Sequence, residues 1–139
     1  MNPKLRISII LLSVLLNACS DTNNANIELS GLNYTNNWIT AFSVDSYEGH
    51  GIEPNGGGGK FVCCVSIPRE WHTGMKVIVR WAEDERISDS WKERIVEIPK
   101  YTKQDISTFA VHFYPGNTVK VLVTSKTARH PDYPYPRPN

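Results

Sequence analysis

Two adjacent cysteines, Cys63 and Cys64, follow four glycines and a lysine, Gly56 to Lys60, and this stretch imitates three kinds of chemistry. A phosphate-binding loop needs a glycine, four residues, then Gly-Lys and a hydroxyl for magnesium, with a helix N-terminus aimed at the phosphate. Here Pro54 stands at the first glycine position, Phe61 stands at the hydroxyl position, and a strand-like run follows, so a nucleotide is not expected. Zinc favours cysteines two to four residues apart with further ligands at related spacing. Cys63 and Cys64 are neighbours, and His50, His72, His112 and His130 show no paired spacing, so neither metal nor other cofactor is expected. Ser66 could join a histidine and an acid in a nucleophilic triad, whose spacing along a chain is unconstrained. No G-x-S-x-G elbow accompanies it, and no catalytic residues are assigned: the chain is not expected to be an enzyme.

Two states stay open for the cysteine pair. A trans peptide holds neighbouring Cα atoms about 3.8 Å apart, under the usual range of about 4.4 to 6.8 Å for a disulfide, so a vicinal bridge needs a kinked backbone. Alternatively, both are reduced, buried thiols that pack as small apolar side chains. The glycines ahead of them suit a loop with positive φ angles or a close approach of two backbones.

Compartment bears on that choice. The N-terminus MNPKLRISIILLSVLLNAC has a basic flank in Lys4 and Arg6, a short apolar run and small Ala18 before Cys19, the layout of a bacterial export signal. Its apolar run is shorter than the roughly 18 to 20 residues that span a bilayer. Leu16-Asn17-Ala18-Cys19 resembles a lipobox, which implies that residues 1–18 are removed and that Cys19 is acylated. Ser20 after the cysteine implies lipid anchoring in the outer membrane on its periplasmic face. Residues 19–28 then form the lipidated end and a polar, flexible tether. The formal net charge is +1, with the basic residues scattered, so no nucleic-acid partner is expected.

The elements that must position these groups read almost wholly as strands. Trp38 to Val44 alternates with Trp38, Thr40, Phe42 and Val44 on one side; Met75, Val77, Val79 and Trp81 repeat the pattern. Phe61 to Ile67 is a near-continuous apolar run and is expected to be a strand buried on both faces. Ile95 to Ile98 ends at Pro99, and Thr108–Tyr114 with Thr118–Val123 flank Pro115-Gly116-Asn117 as a hairpin. One short helix is expected within Glu83 to Glu93. Residues 29–129 therefore read as one all-β domain, a small sandwich or partly open barrel of mostly antiparallel strands, with β-rich α+β as the alternative. The proline-rich tail, residues 130–139, is extended, either packed by Tyr133 and Tyr135 or free in solvent. His112 reads as a surface or satisfied core histidine, and the four tryptophans as core or rim.

Asn33-Tyr34-Thr35, Ile39, Phe42-Ser43-Val44, the four glycines, Cys63 to Pro68, Trp71, Gly74 and Val77 to Trp81 stand in an order that resembles the DUF3304 family of bacterial lipoproteins. Val111-His112-Phe113-Tyr114-Pro115 and His130-Pro131-Asp132-Tyr133-Pro134 carry the likeness towards the C-terminus. The resemblance implies an immunity lipoprotein that binds and inhibits a type VI secretion lipase or phospholipase effector, as a monomer or a 1:1 complex. Exposed loops on a rigid scaffold would make that contact. Tyr47, Glu48, His50 and Glu53 in one loop, with Arg69, Trp71 and His72 in a turn, supply suitable groups. The alternative is an envelope lipoprotein that binds a small ligand or glycan through its tryptophans, or a weak hydrolase.

Overall fold

Met75, Val77, Val79 and Trp81 point one way, as their spacing requires, and form part of the floor of a single hydrophobic core. They belong to a computed structural model that describes residues 22–136. The segment expected to be an export signal, Cys19 with its expected acylation, and the last three residues lie outside the described residues. Eight strands run β1 Asn24–Asn33, β2 Ala41–Val44, β3 Tyr47–Gly49, β4 Val62–Pro68, β5 Lys76–Ala82, β6 Trp91–Glu97, β7 Thr108–Tyr114 and β8 Thr118–Thr124. They form two four-stranded sheets, ordered β4-β1-β7-β8 and β3-β2-β5-β6. The fold is an all-β sandwich. Among the described residues, no helix is long and apolar enough to cross a membrane.

Pairing is antiparallel except between β1 and β7, which run parallel from Glu28↔Thr108 to Asn33↔Phe113. Leu29, Val65, Phe109, Val111, Phe113 and Val121 from the first sheet meet Phe42, Val44, Val77, Val79 and Trp81 from the second. Phe113 packs edge-on to Phe42 with ring centroids 5.5 Å apart and tilts against Trp81 at 5.6 Å. The β7–β8 hairpin turns where expected, with Gly116 at φ 76° and Asn117 at φ 59°. Both conformations suit the left-handed region that glycine and asparagine tolerate.

Four expectations are corrected. β4 is an edge strand rather than one buried on both faces: Val65 and Ile67 are buried, while Cys63 and Ser66 are exposed. Among the described strands, only β1 pairs with it. Residues 83–93 form no α-helix; a 3-10 turn, Ser88–Ser90, precedes β6. The segment is tied instead by its own polar groups, Ser90 bonding the Asp84 carbonyl and Arg86 gripping the Asp84 carboxylate at 2.8 Å. Trp38 and Thr40 lie outside β2, because Ile39 turns inward and bridges Ile52 while pairing with β5 begins at Ala41. Finally, β1 begins at Asn24, inside the segment read as tether, with Ala25, Ile27 and Leu29 buried and Asn26 and Glu28 exposed.

Candidate functional site

A disulfide joins Cys63 to Cys64. Buried thiols are therefore not what the structure holds, since Cys63 is exposed and Cys64 half-buried on the edge strand. Both thiols are consumed, and neither is left as a nucleophile or metal ligand. Intact-mass measurement of the unreduced protein should gain the mass of two hydrogens on reduction; an unchanged mass would contradict the bridge. Among the described residues, no group of three or more His, Cys, Asp or Glu side chains could hold a metal ion.

The seven residues expected at a partner contact, four in a loop and three in a turn, do not form one patch. Tyr47 and Glu48 lie on β3, with Tyr47 and Glu48 bordering a groove that also holds Cys63 and Cys64. His50 and Glu53 follow in the next loop and line a separate cleft beside Trp38. Arg69 is pinned to the start of the described chain: its backbone N–H donates to Asn23 and its Nε to the Thr22 carbonyl at 3.1 Å. Trp71 turns inward, its indole N–H donating to the Ile98 carbonyl at 2.9 Å and its ring packing on the core. It anchors the β4–β5 connection, because a half-buried indole N–H needs an acceptor. His72 stays exposed in the same turn, with Nδ1 3.2 Å from the Thr73 carbonyl.

His112 is the one fully buried imidazole among the described residues, and it is a satisfied core histidine. Nδ1 donates to the Lys120 carbonyl at 3.1 Å, which leaves Nε2 as acceptor for the Tyr133 hydroxyl at 2.5 Å. Burial lowers its pKa from 6.5 to about 4 and also pushes the Tyr133 phenol far up. With both nitrogens taken, this ring is not free to act as a base. The C-terminal tail is therefore packed: Tyr133 is buried against His112, Tyr135 meets the same ring edge-on at 4.9 Å, and the Tyr135 carbonyl accepts from Tyr34 at 3.1 Å. The tail thus covers the part of the first sheet's outer face around His112. Its pairing with His112 joins two sequence segments whose separate spacings gave no sign of contact.

Among the described residues, the outer face of the second sheet has no such cover. Ile78 and Ile95 are cross-strand partners that remain 41% and 68% exposed. Beside them Arg80 pairs with Glu93 at 3.5 Å and lies 5.2 Å over the Trp91 ring. The ion pair is solvent-exposed and contributes little to stability, so this arrangement is an arginine and a tryptophan held ready at a surface. Sequence reasoning missed it, because Ile95 was read within a short strand and Trp91 within a helix.

One family model matches residues 32–121, that of a family described as "Protein of unknown function (DUF3304)". No curated protein and no solved structure matches the chain.

Proposed function

The chain belongs to the DUF3304 family, and from that premise we propose that it is a periplasm-facing, lipid-anchored immunity protein that binds and inhibits a type VI secretion lipase or phospholipase effector. The observation that carries the reading is the uncovered outer face of the second sheet, where Ile78, Arg80, Trp91 and Ile95 stand together on a rigid sandwich. Tryptophan and arginine dominate the energetics of protein contacts, and an aliphatic pair beside them supplies an apolar centre that excludes water. The signal layout ending at Cys19 agrees with this role. A tether holds the inhibitor at the membrane where a lipase would work, which raises its effective concentration there. The protein is not an enzyme in this reading: the partner carries the chemistry, and the domain blocks it by contact.

The test is inhibition of a lipase or phospholipase, sought first among the products of the genes that flank this one. Full-length protein in detergent should abolish hydrolysis at equimolar concentration. Ile95→Asp should weaken inhibition by about 30-fold or more, the loss of a contact worth about 2 kcal/mol, with an unchanged thermal midpoint because Ile95 is exposed. Undiminished hydrolysis at excess wild-type protein would overturn the proposal. Inhibition retained by both Ile95→Asp and Arg80→Ala would remove this face from it.

A further inference from the structure

Trp38 is 56% exposed, the most solvent-facing of the large aromatic side chains, and it does not stand on an open surface. It forms one wall of a cleft of about 300 Å³. His50, Glu53 and Lys60 line the same cleft, and backbone of Gly31, Gly57 and Gly59 makes much of the rest.

The cleft is built by pinned segments. Asn33, fully buried at the end of β1, donates through Nδ2 to the Asn37 carbonyl at 2.7 Å and to the Glu53 carbonyl at 3.1 Å. Its Oδ1 accepts from the Thr35 N–H at 3.0 Å. One side chain therefore fixes the segment that carries Trp38 to the loop that carries His50 and Glu53. Ile39 and Ile52 exchange backbone hydrogen bonds of 3.0 and 2.7 Å, which locks the two again one residue further on. On the other side, Gly58 N–H donates to the Gly31 carbonyl at 2.9 Å, and a Cβ at Gly57, where φ is 103°, would strike that same carbonyl. The glycine run thus lets backbone pass close to β1 and leaves the cleft open above it.

We propose that this cleft is a binding site for a pyranose sugar. An indole face takes the apolar C–H face of a sugar ring, while the hydroxyls at the ring's edge need donors and acceptors around it. Glu53 offers acceptors, Lys60 offers donors, and His50 offers either. Charges of both signs on the rim favour a neutral polyol over a simple anion or cation. The volume stands at the lower end of the range of about 300 to 1,000 Å³ for small-molecule sites, so it takes one or two rings. The site is argued from the lining of the cleft alone and does not rest on the immunity reading.

The experiment is a titration of full-length protein in detergent with maltotriose and, separately, the trimer of N-acetylglucosamine, followed by the tryptophan indole N–H resonances. Trp38→Ala assigns its own resonance and, being a substitution at an exposed side chain, should keep the amide dispersion of the native spectrum. Expected is a saturable shift of the Trp38 resonance by at least one sugar with a Kd near about 1 mM. Followed through the backbone amide resonances of Gly57 and Gly59, which line the cleft, Trp38→Ala should lose the binding by about tenfold or more, and Glu53→Gln should weaken it severalfold while preserving the fold. The proposal is overturned if neither sugar moves that resonance at about ten times that concentration. It is likewise overturned if Trp38→Ala binds as well as wild type, or if only phosphoethanolamine, added as a headgroup probe, shifts the resonance.

Discussion

Lowering the pH from 7 to 4 should cost the fold about 3 kcal/mol through one residue, His112. Its folded-state pKa is depressed from 6.5 to about 4, chiefly because burial disfavours the imidazolium. The neutral ring is thus the form the native state selects. The unfolded chain takes up a proton as pH falls through about 6.5, whereas the folded chain resists until about 4, so stability is complete above the first value and drains between the two. At about 1.4 kcal/mol per pH unit, a gap of this size gives the figure stated. Urea midpoints measured at intervals across that window should fall steadily and level off below it. His112→Gln should flatten the slope; an equally steep slope in that variant would assign the effect elsewhere. Tyr133→Phe leaves Nε2 buried without its donor and should cost about 1 to 3 kcal/mol at neutral pH. Asp84 acts in a lower window: the Arg86 side chain lowers its pKa from 3.8 to about 2, but the pair is exposed and its effect is small.

Phe113→Ala should destabilise the domain by about 3 to 5 kcal/mol, the range for truncating a buried phenylalanine. The ring is 2% exposed and stands between Phe42 and Trp81, so its loss opens space where the two sheets meet. Phe42, held edge-on, and Trp81, held tilted, cannot close that space without leaving their own contacts. The measurement is the urea midpoint together with Trp81 emission, which should move to the red as water reaches the indole. A midpoint shift corresponding to less than about 1 kcal/mol would show that the sandwich can collapse around the site.

Sequence reasoning succeeded where alternation and turn chemistry agreed. Met75 to Trp81 became β5 with the expected buried face, and Pro115-Gly116-Asn117 became the β7–β8 turn. It failed at β1, because Asn24, Asn26 and Glu28 give half of that strand a tether's composition although Ala25, Ile27 and Leu29 alternate correctly. The apolar run around Cys63 misled for the opposite reason. Such a run suits a central strand, but β4 lies at an edge, where Cys63 and Ser66 take the exposed positions and Val65 and Ile67 the buried ones.

The candidate sites were less legible still. His50 and Glu53 read as loop residues, and Trp38 as part of a strand, but the Asn33 side chain and the Ile39–Ile52 bridge bring them to one cleft. No local spacing signals a contact of that kind. The tail's tyrosines were visible as candidates for packing, whereas their acceptor, His112, sits on another strand with its own unremarkable neighbours. In both cases the deciding partner is a buried polar group, and pairing between distant segments is a property of the tertiary fold.

The parallel pairing of β1 with β7 also sets the order of assembly. β1 leaves the ribosome first, yet one of its two neighbours spans Thr108–Tyr114, so half its hydrogen-bonding edge waits for most of the chain to be made. Contacts so distant in sequence slow folding, since loop entropy is lost before the contacts form. A chain cut short before β7 cannot complete the first sheet at all. Its earliest strand is left with an open apolar edge, so truncated forms should be found in aggregates or degraded rather than as smaller working domains.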